Sequence, residues 1–265
     1  MESNELTVVI VTFKSEDKIL KCLNSISKDI PIILVENSNN ENFKKFIEER
    51  FNNVNCILTG ENKGYSVANN IGLKLVKTKY ALILNPDTTL DKEAIKNFFL
   101  SKNIIKDFWL LGPRNDQMVN LDFKGSNFKE VDNLKGFAIF LNISKFKNNY
   151  FDENFFLFFE EIDLCKRIKK NNGKIYLVDN IIIKHEGASS VSKNYSLELE
   201  KNRNWHWMWS TFYFHKKHRG FLIATITIMP KFVSSIIKII YYQLTFNIEK
   251  RDIYYSRMSG IFNSV

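Results

Sequence analysis

A continuous apolar, largely β-branched run occupies residues 6–13, with none of the strict alternation of a half-exposed strand. Such a run is expected of a strand buried on both faces. Residues 15–28 switch to helical spacing, completing a first β-α unit. The pattern then repeats: Pro31–Val35 reads as a second buried strand, 41–52 as a second helix and Val54–Leu58 as a third strand. Past the loop Gly60–Gly64, the residues Val67, Ile71 and Leu75 recur every four positions and mark one face of a helix ending near Lys77. Tyr80–Leu84 is the next buried strand. It stops at Asn85-Pro86-Asp87, because proline cannot donate a ladder hydrogen bond, and Asp91 is placed to cap the helix that follows. Strands alternating with helical crossovers predict an α/β chain with a parallel sheet.

Further along, 107–112 reads as a strand, while 113–133 is polar and unpatterned, as expected of a loop over a site. Glu160–Lys170 has helical spacing with Glu161, Cys165 and Ile168 on one side, and Asn171-Asn172-Gly173 fits a left-handed cap. Short strands at 174–178 and 181–185 are expected to return to the sheet. From about Ser196 the pattern becomes long helices rich in aromatic and basic residues. The stretch Phe221–Phe246 is mostly apolar, but Lys231 and Lys238 interrupt it and Pro230 is expected to kink it. It therefore reads as helices lying in an interface or packed on the body, not as a spanning helix. A length of 265 residues fits one α/β domain over 1–195 with a helical C-terminal extension over 196–265.

Charge sharpens this division. The net charge is +9, yet positions 201–265 hold ten Lys and Arg against only Glu249 and Asp252, so that segment alone carries +8. A basic quarter on a near-neutral body points to an anionic membrane or a phosphate-bearing acceptor. Nucleic acid is set aside because no recognition motif accompanies the charge. Cys22, Cys56 and Cys165 are odd in number and far apart, without zinc-site or disulfide spacing, and read as buried thiols of a reducing compartment. The start of the chain has no signal-peptide pattern, so a cytoplasmic location is expected, peripheral on the inner face of the cytoplasmic membrane.

In an open α/β sheet the ligand sits beyond the carboxyl ends of the strands, so Thr12, Glu36-Asn37 and Asn85-Pro86-Asp87 should converge on one crevice. Five pieces of sequence extend that list in order: VVIVTFKS at 8–15, IILVENSNN at 32–40, ENKGYSVANNIGLKLVKTKYALILNPDTTL at 61–90, FDENFFLFFEEIDLCKRIKKNNGKIYLV at 151–178 and IIIKHEGASS at 181–190. Together, over roughly residues 6–190, they resemble the family 2 glycosyltransferases, in particular the subgroup that includes bacterial rhamnosyltransferases. The resemblance implies the GT-A fold: a Rossmann-like, mostly parallel sheet flanked by helices, with a nucleotide-sugar half over about 1–112 and an acceptor half over about 113–195.

It also implies roles for individual residues. Glu36 lies where the family often has an aspartate that reads the nucleobase, and Thr12, Asn37, Asn62, Gly64 and Asn69 would line the nucleotide pocket. Asp87 corresponds to the carboxylate of the metal-binding turn, where Mg²⁺ or Mn²⁺ would bridge to the diphosphate, with His185 as a second ligand or a diphosphate contact. Glu160-Glu161 resembles the family's Glu-Asp pair, which supplies the catalytic base; by register Glu161 takes the Asp position, one methylene longer, and the assignment between the two acids stays open. Asp163 belongs to the same motif, and Phe158, among four phenylalanines before the acids, is placed on the acceptor side, as wall or as core. The implied reaction is an inverting transfer from dTDP-rhamnose or a UDP-sugar to a hydroxyl of a glycan or glycolipid acceptor, in cell-surface polysaccharide synthesis. The rival readings are a glycan- or lipid-binding module with a degenerate site, and a sugar nucleotidyltransferase; the second would need a Gly-rich basic loop after the first strand, which Val11–Ser15 lacks.

Overall fold

Strand β1 (Leu6–Thr12) is buried at all seven positions, as its unbroken apolar run requires. It pairs in parallel with β2 (Ile32–Glu36) on one side and β4 (Tyr80–Leu84) on the other, and β3 (Val54–Leu58) extends the parallel set beyond β2. Helices α1 (Glu16–Asn24), α2 (Glu41–Arg50) and α3 (Tyr65–Leu75) make the crossovers. Asn40 caps α2 by accepting from the Phe43 amide at 3.0 Å. The computed structural model describes residues 2–114, 123, 125–186 and 196–264. It divides into two units, Met1–Asp152 with Glu161–Val191, and Glu153–Glu160 with Ser192–Val265.

In the first unit, β5 (Thr88–Leu90) and α4 (Ala94–Ile105) follow β4, and then come β6 (Leu110–Pro113), β7 (Phe128–Glu130) and β8 (Ala138–Asn142). After α5 (Glu160–Lys170) come β9 (Ile175–Val178) and β10 (Ile183–His185). The central sheet is eight-stranded, in the order β3-β2-β1-β4-β8-β6-β9-β7. It is a mixed but mostly parallel sheet: β8 runs antiparallel to both β4 and β6, and β7 antiparallel to β9. Alternation along β1 places Leu6, Val8 and Ile10 in one core with Ile19, Phe98 and Phe140, and Val9 in another with Leu73, Leu164 and Cys165. Both faces of the sheet are therefore covered. Gly72 lets α3 sit close on the second face, since a Cβ there would come within 2.5 Å of Val9 Cγ1.

Four expectations change here. The run at 113–133 is not all loop: β7 lies within it, while residues 115–122 and 124 fall outside the described residues. β8, which sequence patterning did not separate, sits in the middle of the sheet. β10 does not return to that sheet but pairs antiparallel with β5 as a two-stranded ribbon. Asp91 does not cap α4 directly: Glu93 is the cap residue, and Asp91 Oδ1 accepts from the Glu93 amide at 3.1 Å. At the end of α5 the left-handed residue is Asn172, with φ of 57°.

The second unit is helical, with α6 (Ser196–Arg219), α7 (Phe221–Leu244) and α8 (Ile248–Phe262). α7 is one continuous helix through Pro230. Met208, Phe212, Ala224, Ile228 and Ile261 join the three helices in a small apolar core, and Gly260 permits close approach of α8 to α6, its absent Cβ lying 2.3 Å from the Trp205 carbonyl.

Candidate active site

Register alone brings the first predicted residues together. Thr12 and Glu36 are the last residues of adjacent parallel strands and are direct partners, while Leu84, two residues past the partner of Val8, ends β4 beside Ile10. The Asn85-Pro86-Asp87 turn therefore leaves the same edge of the sheet. Thr12 Oγ1 donates to Glu36 Oε2 at 2.6 Å, and Ser38 Oγ donates to Glu36 Oε1 at 2.5 Å. Burial raises the Glu36 carboxyl above the usual range, and the two hydroxyls partly offset this.

Asn37 follows directly after β2. Its Nδ2 donates to Asn62 Oδ1 at 2.9 Å and to the Gly64 carbonyl at 3.2 Å. Its Oδ1 accepts from the Lys63 amide at 2.9 Å and from Thr59 Oγ1 at 3.2 Å. The whole amide thus ties the end of β2 to the 59–64 loop. Asn62 Oδ1 also accepts from the Gly64 amide at 3.1 Å. Gly64 precedes α3 with φ of 83°, a conformation that favours glycine, so the loop is delivered to the sheet edge by a backbone other residues would strain. Asn69, fully buried on α3, donates to the Tyr65 carbonyl at 2.9 Å.

The Asp87 turn is built from its own neighbours. The Thr88 amide and hydroxyl both donate to the Asn85 carbonyl, at 3.2 and 2.7 Å. Because β10 pairs with β5, His185 lies opposite Thr88, and His185 Nε2 comes within 3.3 Å of Asp87 Oδ1. The imidazole stacks on Phe137 at 4.8 Å and 10°. A carboxylate and an imidazole at this spacing are a chemically apt pair of ligands for a divalent ion, the imidazole favouring Mn²⁺ over Mg²⁺. Among the described residues no group of three or more His, Cys, Asp and Glu side chains surrounds one point, so further coordination would come from the ligand's oxygens or from water. Lys18, on α1, donates to Glu186 at 2.5 Å; that pairing raises the lysine and lowers the glutamate.

Glu161 is half-buried, and its Oε2 is shielded from solvent with no hydrogen-bond partner among the described residues. Burial raises its carboxyl above the usual range, against smaller contributions from its own and the Ile162 amides and the charge of Lys135. Its side chain packs on the Gly136 backbone, where an added Cβ would lie 3.5 Å from Glu161 Cγ. Asp163 is fully buried and ion-paired with Arg167 at 2.7 Å, so it braces α5. In the second unit, Glu160 is buried, and Phe158 and Phe159 just before it have φ of 71° and 69°. Their rings pack on Trp207, each 5.3 Å from it, and Phe159 also meets Phe214. The four phenylalanines are thus mostly packing residues: Phe155 is fully buried against Tyr213, and Phe156 stacks on His206.

Three residues were missed in the sequence. Tyr65 donates from its hydroxyl to Asn85 Oδ1 at 3.0 Å and to the Gly136 carbonyl at 3.2 Å. The Phe137 carbonyl accepts from the Asn85 amide at 2.9 Å. Gly136 and Phe137, immediately before β8, therefore form one wall shared by Glu161, His185 and the Asp87 turn. The only local signal was a glycine at the head of an apolar run. The three cysteines are buried, with thiols pushed up to about 12 by desolvation, and supply no nucleophile at neutral pH.

Residues 7–159, more than half of the chain, match the family described as glycosyl transferase family 2. The chain belongs to that family. Among its relatives is the low-salt glycan biosynthesis hexosyltransferase Agl10 of Haloferax volcanii, 26% identical over 208 residues that span 67% of each protein. The crystal structure of S. aureus TarS 1–349 in complex with UDP-GlcNAc matches over 98% of this chain and 91% of the 1–349 chain, with a TM-score of 0.55 and 16% identity. GalNAc-T7, crystallised with UDP, GalNAc and Mn²⁺, covers 86% of this chain and 57% of its own, with a TM-score of 0.58 and 13% identity. Structural likeness at such identities establishes the GT-A fold, and family membership makes this chain a glycosyltransferase. Of the quoted motif at 181–190, residues 187–190 lie outside the described residues.

Proposed function

We propose that this transferase moves a sugar, with inversion, from a nucleoside-diphosphate sugar to a hydroxyl of a glycan or lipid-linked acceptor, with Glu161 as general base. The observation that carries this reading is the Gly136-Phe137 wall, which holds Glu161 on one residue and His185 on the next while Tyr65 links it to Asn85. A base and a diphosphate-binding turn must lie on one site for single displacement, and this wall connects them. Glu36, Thr12, Asn62, Gly64 and Asn69 bind the nucleotide, Glu36 through a carboxylate oriented by two hydroxyls. Asn37 positions the loop that carries Asn62 and Gly64. Asp87 and His185 would hold a divalent ion, which when bound supplies electrostatic stabilisation of the leaving diphosphate. Glu161 takes the acceptor proton; its raised carboxyl range suits a general base working near neutral pH, an effect worth about 10²- to 10⁴-fold. Asp163 serves this side by bracing α5 through Arg167, and Glu160 and Phe158 are the acceptor-side residues of the second unit.

For the donor, dTDP-rhamnose and UDP-sugars are the two classes to test: the motifs resemble rhamnosyltransferases, whereas TarS carries UDP-GlcNAc. A role in surface glycan assembly at the cytoplasmic membrane accords with the glycan-biosynthesis relative and with the +8 carried by residues 201–265. The test is a thermal-shift and turnover screen of purified protein against dTDP-, UDP- and GDP-sugars with and without Mn²⁺, with Asp87→Ala and Glu161→Gln alongside. Metal-dependent stabilisation by one nucleotide, lost in Asp87→Ala, and turnover lost in Glu161→Gln with nucleotide binding kept, are the expected results. Binding without any turnover of donor would instead favour a degenerate, binding-only site.

A further inference from the structure

The second unit carries a surface that this chemistry does not use. The buried side of α7 is narrow, consisting of Ala224, Ile228, Ser235 and Ile239. Its opposite side is apolar and open: Leu222, Ile226, Met229, Val233, Ile237 and Leu244 are 46–77% exposed. Their steps of three, four and seven put them on one helical face, and the 24-residue helix extends that face over about 36 Å. A groove of about 680 Å³ along it is lined by α7 residues alone, so nothing among the described residues covers it. Scattered apolar residues on a surface need no explanation, whereas a contiguous stripe of this length marks an interaction site.

Charge decides the occupant. No acid occurs between Phe221 and Ile248, and Lys216, Lys217 and Arg219 close α6 just before the stripe, while the segment after it, Glu249-Lys250-Arg251-Asp252, carries no net charge. Pairing with a second copy along α7 would set two helices that each carry Lys231 and Lys238 and no acid against each other, and a parallel pair would also face the Lys216-Lys217-Arg219 clusters. An anionic phospholipid surface is complementary to the same arrangement. α7 is long and apolar enough to cross a bilayer, with a mean hydropathy of 1.7 in its best window. Its narrow side, however, is packed against α6 and α8, whose Arg203, Lys201 and Asp252 would enter hydrocarbon with it. Helices rich in charge are expensive at that depth, which leaves α7 in the plane of the interface.

We propose that the exposed face of α7 lies in an anionic phospholipid surface, with Leu222 to Leu244 at the acyl boundary and the flanking Lys and Arg at the headgroups. This deepens the partner part of the proposed function and is independent of its chemistry. The test is flotation of the full chain with phosphatidylcholine vesicles with and without phosphatidylglycerol, at low and high salt. Wild type is expected to float only with the anionic vesicles and to dissociate as salt rises. Ile226→Glu combined with Ile237→Glu should lower partitioning by roughly a hundredfold, since two apolar side chains leave the boundary. Lys216→Gln combined with Arg219→Gln should lower it roughly 30-fold, at about a factor of five per cation. Circular dichroism and donor turnover are read on every variant. A glutamate pair that keeps its helicity and turnover while losing flotation supports the proposal; loss of turnover in wild type would count against the transferase reading and leave this one standing. Three results overturn it: no flotation of wild type, flotation indifferent to both pairs, or a dimer in lipid-free buffer that the glutamate pair dissolves. Retention that survives high salt and alkaline washing would also overturn it, in favour of a spanning helix.

Discussion

Replacing Asn37 with alanine tests whether the nucleotide loop is held from β2. Four hydrogen bonds run from this one amide to Asn62, Gly64, Lys63 and Thr59, at 2.9–3.2 Å. The Gly64 carbonyl keeps the Ala68 amide at 3.2 Å, so none of the partners is fully orphaned, and each of the four lost contacts costs about 0.5–1 kcal/mol. The sum is about 2–4 kcal/mol, and at roughly 2–4 °C per kcal/mol for a unit of this size the melting temperature of the first unit should fall by about 5–15 °C. Thr59→Val removes one of the four, together with that hydroxyl's contacts to the Glu36 and Glu61 carbonyls at 3.3 and 2.6 Å, and should move it by a few degrees at most. The assay is calorimetric melting with and without UDP and dTDP, because the same loss releases Gly64 from its left-handed conformation and should weaken nucleotide-induced stabilisation more than it weakens the fold. Asn37→Asp adds a sharper comparison: it keeps the acceptor half toward Lys63 and Thr59 but sets an oxygen against Asn62 Oδ1 and the Gly64 carbonyl, so it should be no milder than alanine. A melting temperature unchanged in Asn37→Ala would refute the role given to this residue, and Asn37→Asp behaving like wild type would refute the assigned amide orientation.

Glu161→Gln should cut turnover by about 10²- to 10⁴-fold and leave nucleotide binding intact, as measured by donor hydrolysis and calorimetric titration. It should also raise the melting temperature at neutral pH: burial raises the folded carboxyl above its unfolded value, so the ionised form destabilises the fold. Below the unfolded value both states are protonated and the difference vanishes; it opens as pH rises and is complete above the folded value. The same shift places the acidic limb of kcat/KM above that of an ordinary glutamate, which a pH–rate profile reads. Tyr65→Phe loses the hydroxyl that joins Asn85 to Gly136 and should cost about 1–2 kcal/mol of stability while lowering kcat more than donor KM changes, in steady-state kinetics. Gly72→Ala forces a methyl toward Val9 and Val35 and should destabilise by about 1–3 kcal/mol in a denaturant titration, with nucleotide affinity little changed in the folded fraction.

The parallel half of the fold was legible because β1, β2 and β4 are buried on both faces and leave unbroken apolar runs between helices of clear spacing. The meeting of Thr12, Glu36 and Asp87 at one edge was legible too, since all three lie at the carboxyl ends of their strands. The antiparallel half was not legible. β8 is as apolar as β4, but the segment before it has no periodicity to fix where a strand begins, and β5 and β7 have three residues each, too few for any period to register, while β10 was expected as a strand at 181–185 but with the wrong partner. Their pairing is decided by partners up to about a hundred residues away, as when His185 meets Thr88. The same holds for the site. Acids and turn residues announce themselves locally, whereas Tyr65 acts through Gly136, 71 residues distant, and Phe137 through the face it offers to His185. Asn37 is a further case: its place after a strand announced it, but its bonds to residues 59–64 depend on a loop more than twenty residues away.

The phenylalanines before the acids show how the second unit holds a strained stretch of its own backbone. Phe158 and Phe159 are consecutive left-handed residues, a conformation that costs bulky side chains about 1–3 kcal/mol each and persists only where surroundings over-determine it. α6 supplies the constraint: Trp207 meets both rings, Phe214 meets the second, and Ser210 Oγ donates to the Leu157 carbonyl at 2.8 Å. Three ring pairs at about 0.5–1.5 kcal/mol each, with one hydrogen bond, are of the same size as the strain they oppose. The conformation therefore depends on α6 remaining in place, and the next two residues along the chain are Glu160 and Glu161. Within this unit, the path of the chain up to Glu160 is set by aromatic packing on α6, through Trp207 and Phe214, about fifty residues later in sequence.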